Sequence, residues 1–327
     1  MDFYREFPYP TAKDFEVIKC YLDAEVEFMP KANFYNDDQN ILIRRNAVSM
    51  IAKLTTKEFM DWFDPDAYVP YIAMNYFDRF VSHFGMKYVE GQTMTEKVNL
   101  IAISCFTISA KMRVDSFEYC CWFLQRVMKN LGIKSVMVMK TELVILQALK
   151  WRMKPVTPDC FLNSYYPCFK DFGGFNRRSI NEIIVQAQGE HTFVDFMPSQ
   201  IALSALLAAS KLAYPLHKEK IERIKSNDKV YLSSSNVNLI SYNKAYLQFT
   251  IVKDCAKKMI DLCRRMNIRI DTPGSLQMID GTVVDMKKLD IGKMKTSQLQ
   301  VQEEPEKLYD KTPKKPLNFE LKWVQPQ

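Results

Sequence analysis

The stretch between Thr93 and Lys111 restricts the possible folds more than any other part of the chain. Between Val98 and Ala110 apolar residues recur on every face of a helix. Such a helix must be surrounded by other helices, because the run is too short to span a bilayer. Thr93 and Glu96 have the spacing of a capping box, which marks a helix start. The stretch therefore predicts the central helix of a helical bundle.

A second run of the same kind, PSQIALSALLAASK, occupies residues 198–211 and begins with a proline suited to a first helical turn. Both runs end in a small residue followed by lysine. A chain of 327 residues is long enough for two domains, each with its own core. The 9 glycines and the 47% hydrophobic content favour helices over β structure. We therefore expect an all-α protein of two similar bundles in tandem.

The composition argues against several functional classes. No apolar run is long enough to span a membrane, and the N-terminus lacks the pattern of a signal peptide. The 8 cysteines lack metal-site spacing and the 3 histidines are isolated, which indicates reduced thiols in an intracellular protein and no metal site. The net charge of +7 comes from lysines interleaved with acids, a pattern that does not indicate nucleic-acid binding. Because no phosphate loop or nucleophile motif occurs, we expect a binding protein without a cofactor.

Patterning divides the chain into four segments. Residues 1–35 are expected to hold a leader and a helix over 14–28. Residues 36–155 are expected to form a bundle whose helices span 40–54, 66–84, 94–111, 116–130 and 135–150. Residues 156–270 are expected to form the second bundle, which begins with Thr157 as a cap and contains helices over 176–191, 198–211 and up to Met266. Residues 271–327 mix Gly, Pro, Gln and alternating charges, which predicts a disordered tail.

Four charged residues interrupt the apolar helices, namely Arg44, Asp78, Lys111 and Glu142. A charge near a core needs a partner, and Arg44 with Asp78 is predicted to form an internal pair. Two interpretations of Lys111 and Glu142 remain open. The two residues could pair with each other in a purely structural role. They could instead stand together at a rim and offer a donor and an acceptor to the backbone of another protein.

A set of these residues resembles the signature of the cyclin box. The set comprises Arg44, the segment NYFDRF at 75–80, Leu100, Lys111 and Glu142. Residues 198–211 resemble the third helix of the family's second cyclin fold. Residues 23–35 resemble the segment that precedes the box in plant D-type cyclins, among which the chain is most similar to the divergent sixth subgroup.

The resemblance covers residues 14–266. It implies two tandem five-helix folds, an N-terminal cyclin box over 36–155 and a C-terminal cyclin fold over 156–270. It also implies a non-catalytic regulatory subunit that binds and activates a cyclin-dependent Ser/Thr kinase at the G1/S transition, in the nucleus and cytoplasm.

The same resemblance assigns the binding residues. In the family, the residues that match Lys111 and Glu142 bind the backbone around the αC helix of the kinase. A partner that binds only the active conformation of a kinase shifts the kinase toward that conformation. Kinase-inhibitor proteins would be further partners, and neither nucleic acid nor membrane is implied.

Two departures from the family pattern concern partner choice. The patch that takes Arg-x-Leu peptides is degenerate, because it reads Ile43 to Ala47 without the usual residues and has Met50 where a Trp is expected. Lys53 stands where some members carry an acid. The Leu-x-Cys-x-Glu motif is absent, since the nearest string, 18–22, lacks the Glu. Direct binding of retinoblastoma-related proteins through that motif is therefore not expected.

Thr312 is followed by Pro-Lys-Lys, the form that cyclin-dependent kinases prefer in a substrate. It is a candidate phosphosite, and a chance match in a lysine-rich tail is the alternative. For the whole chain, the alternative function is a duplicated cyclin-fold scaffold, or a transcription-type cyclin without a cell-cycle kinase role.

Overall fold

The structure is a computed structural model that describes residues 12–56, 59, 68–113, 117–167, 169, 174, 176–216, 249–272 and 321–323. Within these ranges the chain forms ten α-helices and no strand, which confirms the all-α prediction. Most of the leader, residues 217–248, Thr312 and most of the predicted tail lie outside the described residues. None of the described helices is both long enough and apolar enough to cross a membrane.

The N-terminal segment is a helix followed by a tight turn. Helix α1 (Ala12–Ala24) packs three apolar side chains into the core, those of Phe15, Ile18 and Leu22. The chain then tightens into a 3-10 turn over Glu25–Phe28. The sequence pattern predicts one helix over 14–28. The difference arises where Met29 takes an extended conformation before Pro30, since a residue that precedes proline is kept out of the helical region.

The first bundle contains α2 (Asp38–Leu54), α3 (Tyr68–Phe84), α4 (Met94–Arg113), α5 (Phe117–Leu131) and α6 (Ser135–Ala148). Helix α4 lies at its centre and contacts the other four helices. Every residue from Leu100 to Ala110 is buried. The amide of Glu96 donates to Thr93 Oγ1 over 3.1 Å, and the amide of Thr93 donates to Glu96 Oε2 over 3.3 Å. The predicted capping box and the predicted absence of a polar face are both confirmed.

The described part of the second bundle contains α7 (Asp159–Tyr165), α8 (Arg177–Gln188), α9 (Pro198–Ala213) and α10 (Phe249–Arg265). Helix α9 takes the central place and contacts α7, α8 and α10. The residue before α7 is Pro158, and no side chain caps that helix. The prediction of Thr157 as the cap is therefore wrong by one position; its hydroxyl lies 3.8 Å from Cys160 Sγ instead.

In the described part of the chain, polar contacts join the second bundle both to the first bundle and to the N-terminal segment. Arg44 of α2 donates to the carbonyl oxygens of Gln188 and Gly189 at the end of α8. The carboxylate of Glu25 accepts from the amide and the hydroxyl of Ser199 at the start of α9. Tyr68 Oη donates to Asn181 Oδ1 over 3.4 Å.

A short part of the predicted tail is ordered against the second bundle. Lys322 and Trp323 contact α8 and the residue that follows α10, Leu321 packs against the core, and Trp323 is 9% exposed. The prediction of disorder therefore does not hold for these three residues. The composition of a short segment does not reveal the groove that another part of the chain provides for it.

Candidate functional site

Lys111 at the end of α4 and Glu142 in the middle of α6 form an ion pair. Lys111 Nζ donates to both carboxylate oxygens over 2.8 Å. Thr107, one turn before Lys111, donates its hydroxyl to Glu142 Oε1 over 2.5 Å. The Lys111 side chain is 37% exposed and that of Glu142 is 10% exposed. The carboxylate is thus held from the buried side by Thr107 and covered from the solvent side by the ammonium.

The pair lines a cavity of about 560 Å³ at the surface of the first bundle. The apolar part of the lining comes from Phe28, Ile108, Met112, Leu146, Trp151 and Met153. The charged part comes from Lys111, Glu142, Arg152 and Lys154. The cavity therefore combines an apolar floor with three cations and one carboxylate. This is the composition expected of a binding surface with a few orienting polar groups.

One wall of the cavity is the loop that follows α6, and its backbone is unusual. Lys150 and Trp151 both have positive φ, 53° and 58°, a conformation that side-chain-bearing residues adopt only when the surroundings hold it. The amide of Trp151 donates to Leu146 O over 2.9 Å, and Tyr76 Oη donates to Met153 O. These contacts hold the Trp151 side chain 64% exposed beside the cavity.

The buried ring of Phe28, which the N-terminal 3-10 turn supplies, also lines the cavity. The guanidinium carbons of Arg79 and Arg152 each lie 5.0 Å from its centroid. Arg152 also pairs with Glu27. Burial lowers the pKa of Arg79 to about 10, so this side chain remains charged at neutral pH. The N-terminal segment is thereby fixed to the site by cation–π contacts and an ion pair.

Sequence reasoning missed the contributions of Phe28, Trp151 and Arg152. A signal for two of them was present, since a Lys-Trp-Arg string directly after an apolar helix is an odd place for an exposed aromatic residue. No such signal existed for Phe28, which reaches the cavity only through the path of the N-terminal segment.

The structure also brings Arg44 and Asp78 together, but away from this cavity. Arg44 Nε and Nη2 donate to the two carboxylate oxygens over 3.0 and 3.1 Å, and both side chains are almost fully buried. Tyr35 Oη donates to Asp78 Oδ1 over 2.6 Å. Burial, and then the charge of Asp78, raises the pKa of Tyr35 well above its usual value, so the phenol stays a donor. This cluster is built into the core and joins α2, α3 and α8.

The patch on α2 that sequence reasoning regarded as a degenerate docking surface is mostly inaccessible. Ala47 is fully buried and Ile43 is 6% exposed. Met50 is half-buried, and the Lys53 ammonium lies 5.8 Å from the centroid of Phe59. Of the three residues named for the patch, Met50 alone offers appreciable surface.

The arrangement at Lys111 and Glu142 leaves capacity for a partner. An ammonium has three donors, and two of them are directed to the carboxylate. A carboxylate accepts about four hydrogen bonds, and three reach Glu142 here. The two sequence-based interpretations therefore coexist in one geometry, since the residues pair with each other and also stand beside an open cavity. Within the described ranges, no cluster of His, Cys, Asp and Glu could hold a metal ion.

Five cysteines whose side chains the structure describes are free thiols, and three of them, Cys105, Cys255 and Cys263, are buried. Burial raises the pKa of Cys255 and of Cys263 to about 12, so neither forms a reactive thiolate at neutral pH.

Comparison with known proteins shows what the chain is similar to. Residues 16–154 match the family model for the cyclin N-terminal domain. The chain is 32% identical over 204 residues to the putative cyclin-D6-1 of Arabidopsis thaliana, an alignment that covers 59% of this chain and 63% of that protein. It is 28% identical over 216 residues to cyclin-D6-1 of Oryza sativa subsp. japonica, with 64% and 63% covered.

A third relative is cyclin-D1-1 of Arabidopsis thaliana, 27% identical over 208 residues, with 59% of this chain and 56% of that protein covered. The chain thus spans less than two thirds of the length of these relatives. The matched range 16–154 begins before the predicted box at 36–155, because it includes the N-terminal helix. The resemblance found in the sequence is confirmed at this level: residues 16–154 match the cyclin N-terminal domain, and the relatives are D-type cyclins of plants.

Proposed function

We propose that this protein is a cyclin-type regulatory subunit that binds and activates a cyclin-dependent Ser/Thr kinase and acts at the G1/S transition. The protein performs no phosphoryl transfer itself. The observation that carries the proposal is the Lys111–Glu142 pair beside an apolar cavity, within the range that matches the cyclin N-terminal domain.

The geometry suits a helix of the partner that has both apolar side chains and exposed backbone polar groups at one end. The apolar floor between Ile108 and Leu146 takes aliphatic side chains, while Lys111 and Glu142 bind a carbonyl oxygen and an amide. A kinase is active only when the lysine of its third strand pairs with the glutamate of its αC helix. A surface complementary to that arrangement alone shifts the population toward it by the difference between its affinities for the two states.

The charge around the cavity favours a partner surface with acidic groups. Lys111, Arg152 and Lys154 surround one largely buried carboxylate. Such rim charges act mainly on the association rate, which falls as the ionic strength rises.

The deciding experiment measures affinity of the full chain for a cyclin-dependent kinase, together with kinase activity in the reconstituted pair. Lys111→Ala and Glu142→Gln each remove charge-assisted hydrogen bonds, and we expect about 10- to 100-fold weaker binding. The matched control is Lys140→Ala on the same helix α6. Lys140 forms an exposed pair with Glu90 over 3.1 Å, and its loss should change affinity by less than about threefold.

A stability control separates binding from folding. Leu100→Ala removes a buried side chain of α4 and should cost about 2–5 kcal/mol of the free energy of unfolding. The proposal fails if Lys111→Ala leaves kinase affinity unchanged, or if it lowers thermal stability as much as Leu100→Ala does. A folded chain that binds no kinase would support the scaffold alternative instead.

The proposal carries four further expectations. Kinase-inhibitor proteins would bind the complex, and the protein would be found in the nucleus and cytoplasm, which microscopy of a tagged chain tests. Peptides carrying Arg-x-Leu should bind weakly, because Ile43 and Ala47 are buried and Met50 replaces an aromatic anchor. The absence of the retinoblastoma-binding motif leaves recruitment of those proteins to another surface.

A further inference from the structure

The segment Leu321–Trp323, here called the tail clasp, occupies a groove between the ends of α8 and α10. The indole of Trp323 is 9% exposed, and its Nε1 donates to the carbonyl of Val185 over 2.7 Å. That bond joins residues 138 positions apart in the chain. A large aromatic side chain buried with its polar atom satisfied is typical of an anchor residue in a binding interface.

Lys322 makes two further contacts in the groove. Its amide donates to Oε1 of Gln186, a side chain that is fully buried, over 2.9 Å. Its ammonium donates to the carbonyl of Met266 over 2.9 Å, directly after the end of α10. A cation at this place also interacts favourably with the negative end of the helix dipole. The tail clasp is therefore recognised through an indole, a backbone amide and an ammonium.

Gly189 shows that the groove is fitted to this ligand. A Cβ at position 189 would lie 2.4 Å from Cδ1 and 2.6 Å from Cγ of Trp323. The backbone of Gly189 is helical, with φ of −65°, so this conformation does not by itself require glycine. The close approach of the indole is the contact that requires a residue without a side chain here.

We propose that the groove formed by Val185, Gln186, Gly189 and Met266 is a peptide-binding surface whose ligand is the tail clasp. Its ligand class is a short segment that presents a lysine followed by a tryptophan. Bound within the same chain, the tail clasp excludes other peptides of this class. The proposal does not depend on the kinase-binding role of the first bundle.

Competition between a bound and an added ligand tests the proposal on the full chain. Trp323→Ala removes the anchor and leaves the groove open. A fluorescent peptide of residues 316–327 should then bind to this variant, as measured by polarisation. It should bind at least about tenfold more weakly to the unaltered chain, where the tethered ligand acts at an effective concentration that reaches the mM range. The same peptide with alanine in place of the tryptophan should bind to neither chain.

Equal binding to both chains, or no binding to the Trp323→Ala variant, overturns the proposal. Gly189→Ala supplies an independent test through the sign of its effect. In the unaltered chain it should displace Trp323, lower the melting temperature and shift the tryptophan emission to longer wavelength. In the Trp323→Ala background it should leave the melting temperature unchanged or raise it, because alanine is favoured over glycine at a helical position. A lower melting temperature in both backgrounds also overturns it.

Discussion

At the scale of single residues, the polar groups buried in the core each depend on specific hydrogen-bond partners. Asp78 accepts three hydrogen bonds from two side chains, and two further donors of Arg44 reach carbonyl oxygens at the end of α8. The sequence predicted that Arg44 and Asp78 would pair, because opposite charges within apolar helices need partners. It could not predict Tyr35 or the carbonyls of α8, since chain spacing does not show which distant segment arrives at a buried charge.

We expect Arg44→Ala to lower the free energy of unfolding by about 3–5 kcal/mol, because it leaves the Asp78 carboxylate buried without its cation. Arg44→Lys should recover only part of this loss, since an ammonium cannot reproduce the bidentate contact. Urea unfolding measures both. Arg45→Ala is the matched control on the adjacent, exposed position of α2 and should change stability by less than about 0.5 kcal/mol. A similar small effect for Arg44→Ala would show that Asp78 finds another partner.

Glu25 predicts a pH dependence of stability. Burial raises the pKa of this carboxyl to about 7, against the effect of its two hydrogen bonds from Ser199. Between pH 4.5, the pKa of the unfolded state, and about pH 7, the folded state therefore keeps a proton that the unfolded state has released. The stabilisation is complete below that interval and is lost as the pH rises through it, by roughly 3 kcal/mol.

Glu25→Gln keeps an acceptor for the Ser199 amide and cannot titrate, so it should flatten the fall in stability between pH 5 and pH 7. Urea midpoints measured across this range compare the two chains. Glu16→Gln, on the exposed side of α1, serves as the control and should leave the slope unchanged. Parallel curves for the unaltered chain and Glu25→Gln would assign the slope to other groups.

At the scale of elements, helices with strong end signals were predicted well. Helix α4 was predicted over 94–111 and spans Met94–Arg113, and α9 was predicted over 198–211 and spans Pro198–Ala213. The capping box and the helix-starting proline give these helices defined beginnings. The turn after α6 was not predictable, because Lys150 and Trp151 adopt positive φ and no glycine in the sequence indicates that conformation there. A local hydrogen bond from the Trp151 amide to Leu146 O and a tertiary one from Tyr76 Oη to Met153 O hold that backbone in place.

The capping box of α4 gives a prediction at this scale. Thr93→Ala removes the hydroxyl that accepts from the Glu96 amide and should cost about 1 kcal/mol of the free energy of unfolding. Thr93→Ser keeps the acceptor and should recover most of the loss. Thr95→Ala, exposed in the first turn of the same helix, should be neutral or slightly stabilising because alanine favours helix. Thermal melting of the three variants provides the comparison. Equal losses of stability for Thr93→Ala and Thr93→Ser would contradict the role of the Thr93 hydroxyl as a helix cap.

At the scale of the whole molecule, polar contacts connect the second bundle to the first bundle and to the N-terminal segment. The contacts are those of Arg44 with the end of α8, Glu25 with the start of α9, and Tyr68 with Asn181. The first two involve buried charged groups, which lose their partners if the bundles separate. The two bundles therefore stabilise each other, although each is built around its own central helix.

We expect the described core to unfold as one cooperative unit. Tryptophan fluorescence and far-ultraviolet circular dichroism should report the same midpoint in urea, and the calorimetric and van't Hoff enthalpies should agree. In Arg44→Ala, which removes one of the polar contacts between the bundles, the two optical transitions should begin to separate. Resolved transitions in the unaltered chain would mean that the bundles are independent.

The contact between Glu25 and Ser199 also constrains how the protein is made. These residues are 174 positions apart, and at synthesis rates of about 5–20 residues per second the serine follows the glutamate by about 9–35 s. During that interval the Glu25 carboxylate stays hydrated, although Glu27 and Phe28 can already contact Arg79 and Arg152. The turn over Glu25–Phe28, which lines the cavity through Phe28, thus gains its last contact only from a segment translated much later. A ribosome that stalls between the two positions leaves a nascent chain whose unfinished surface chaperones and proteases can recognise.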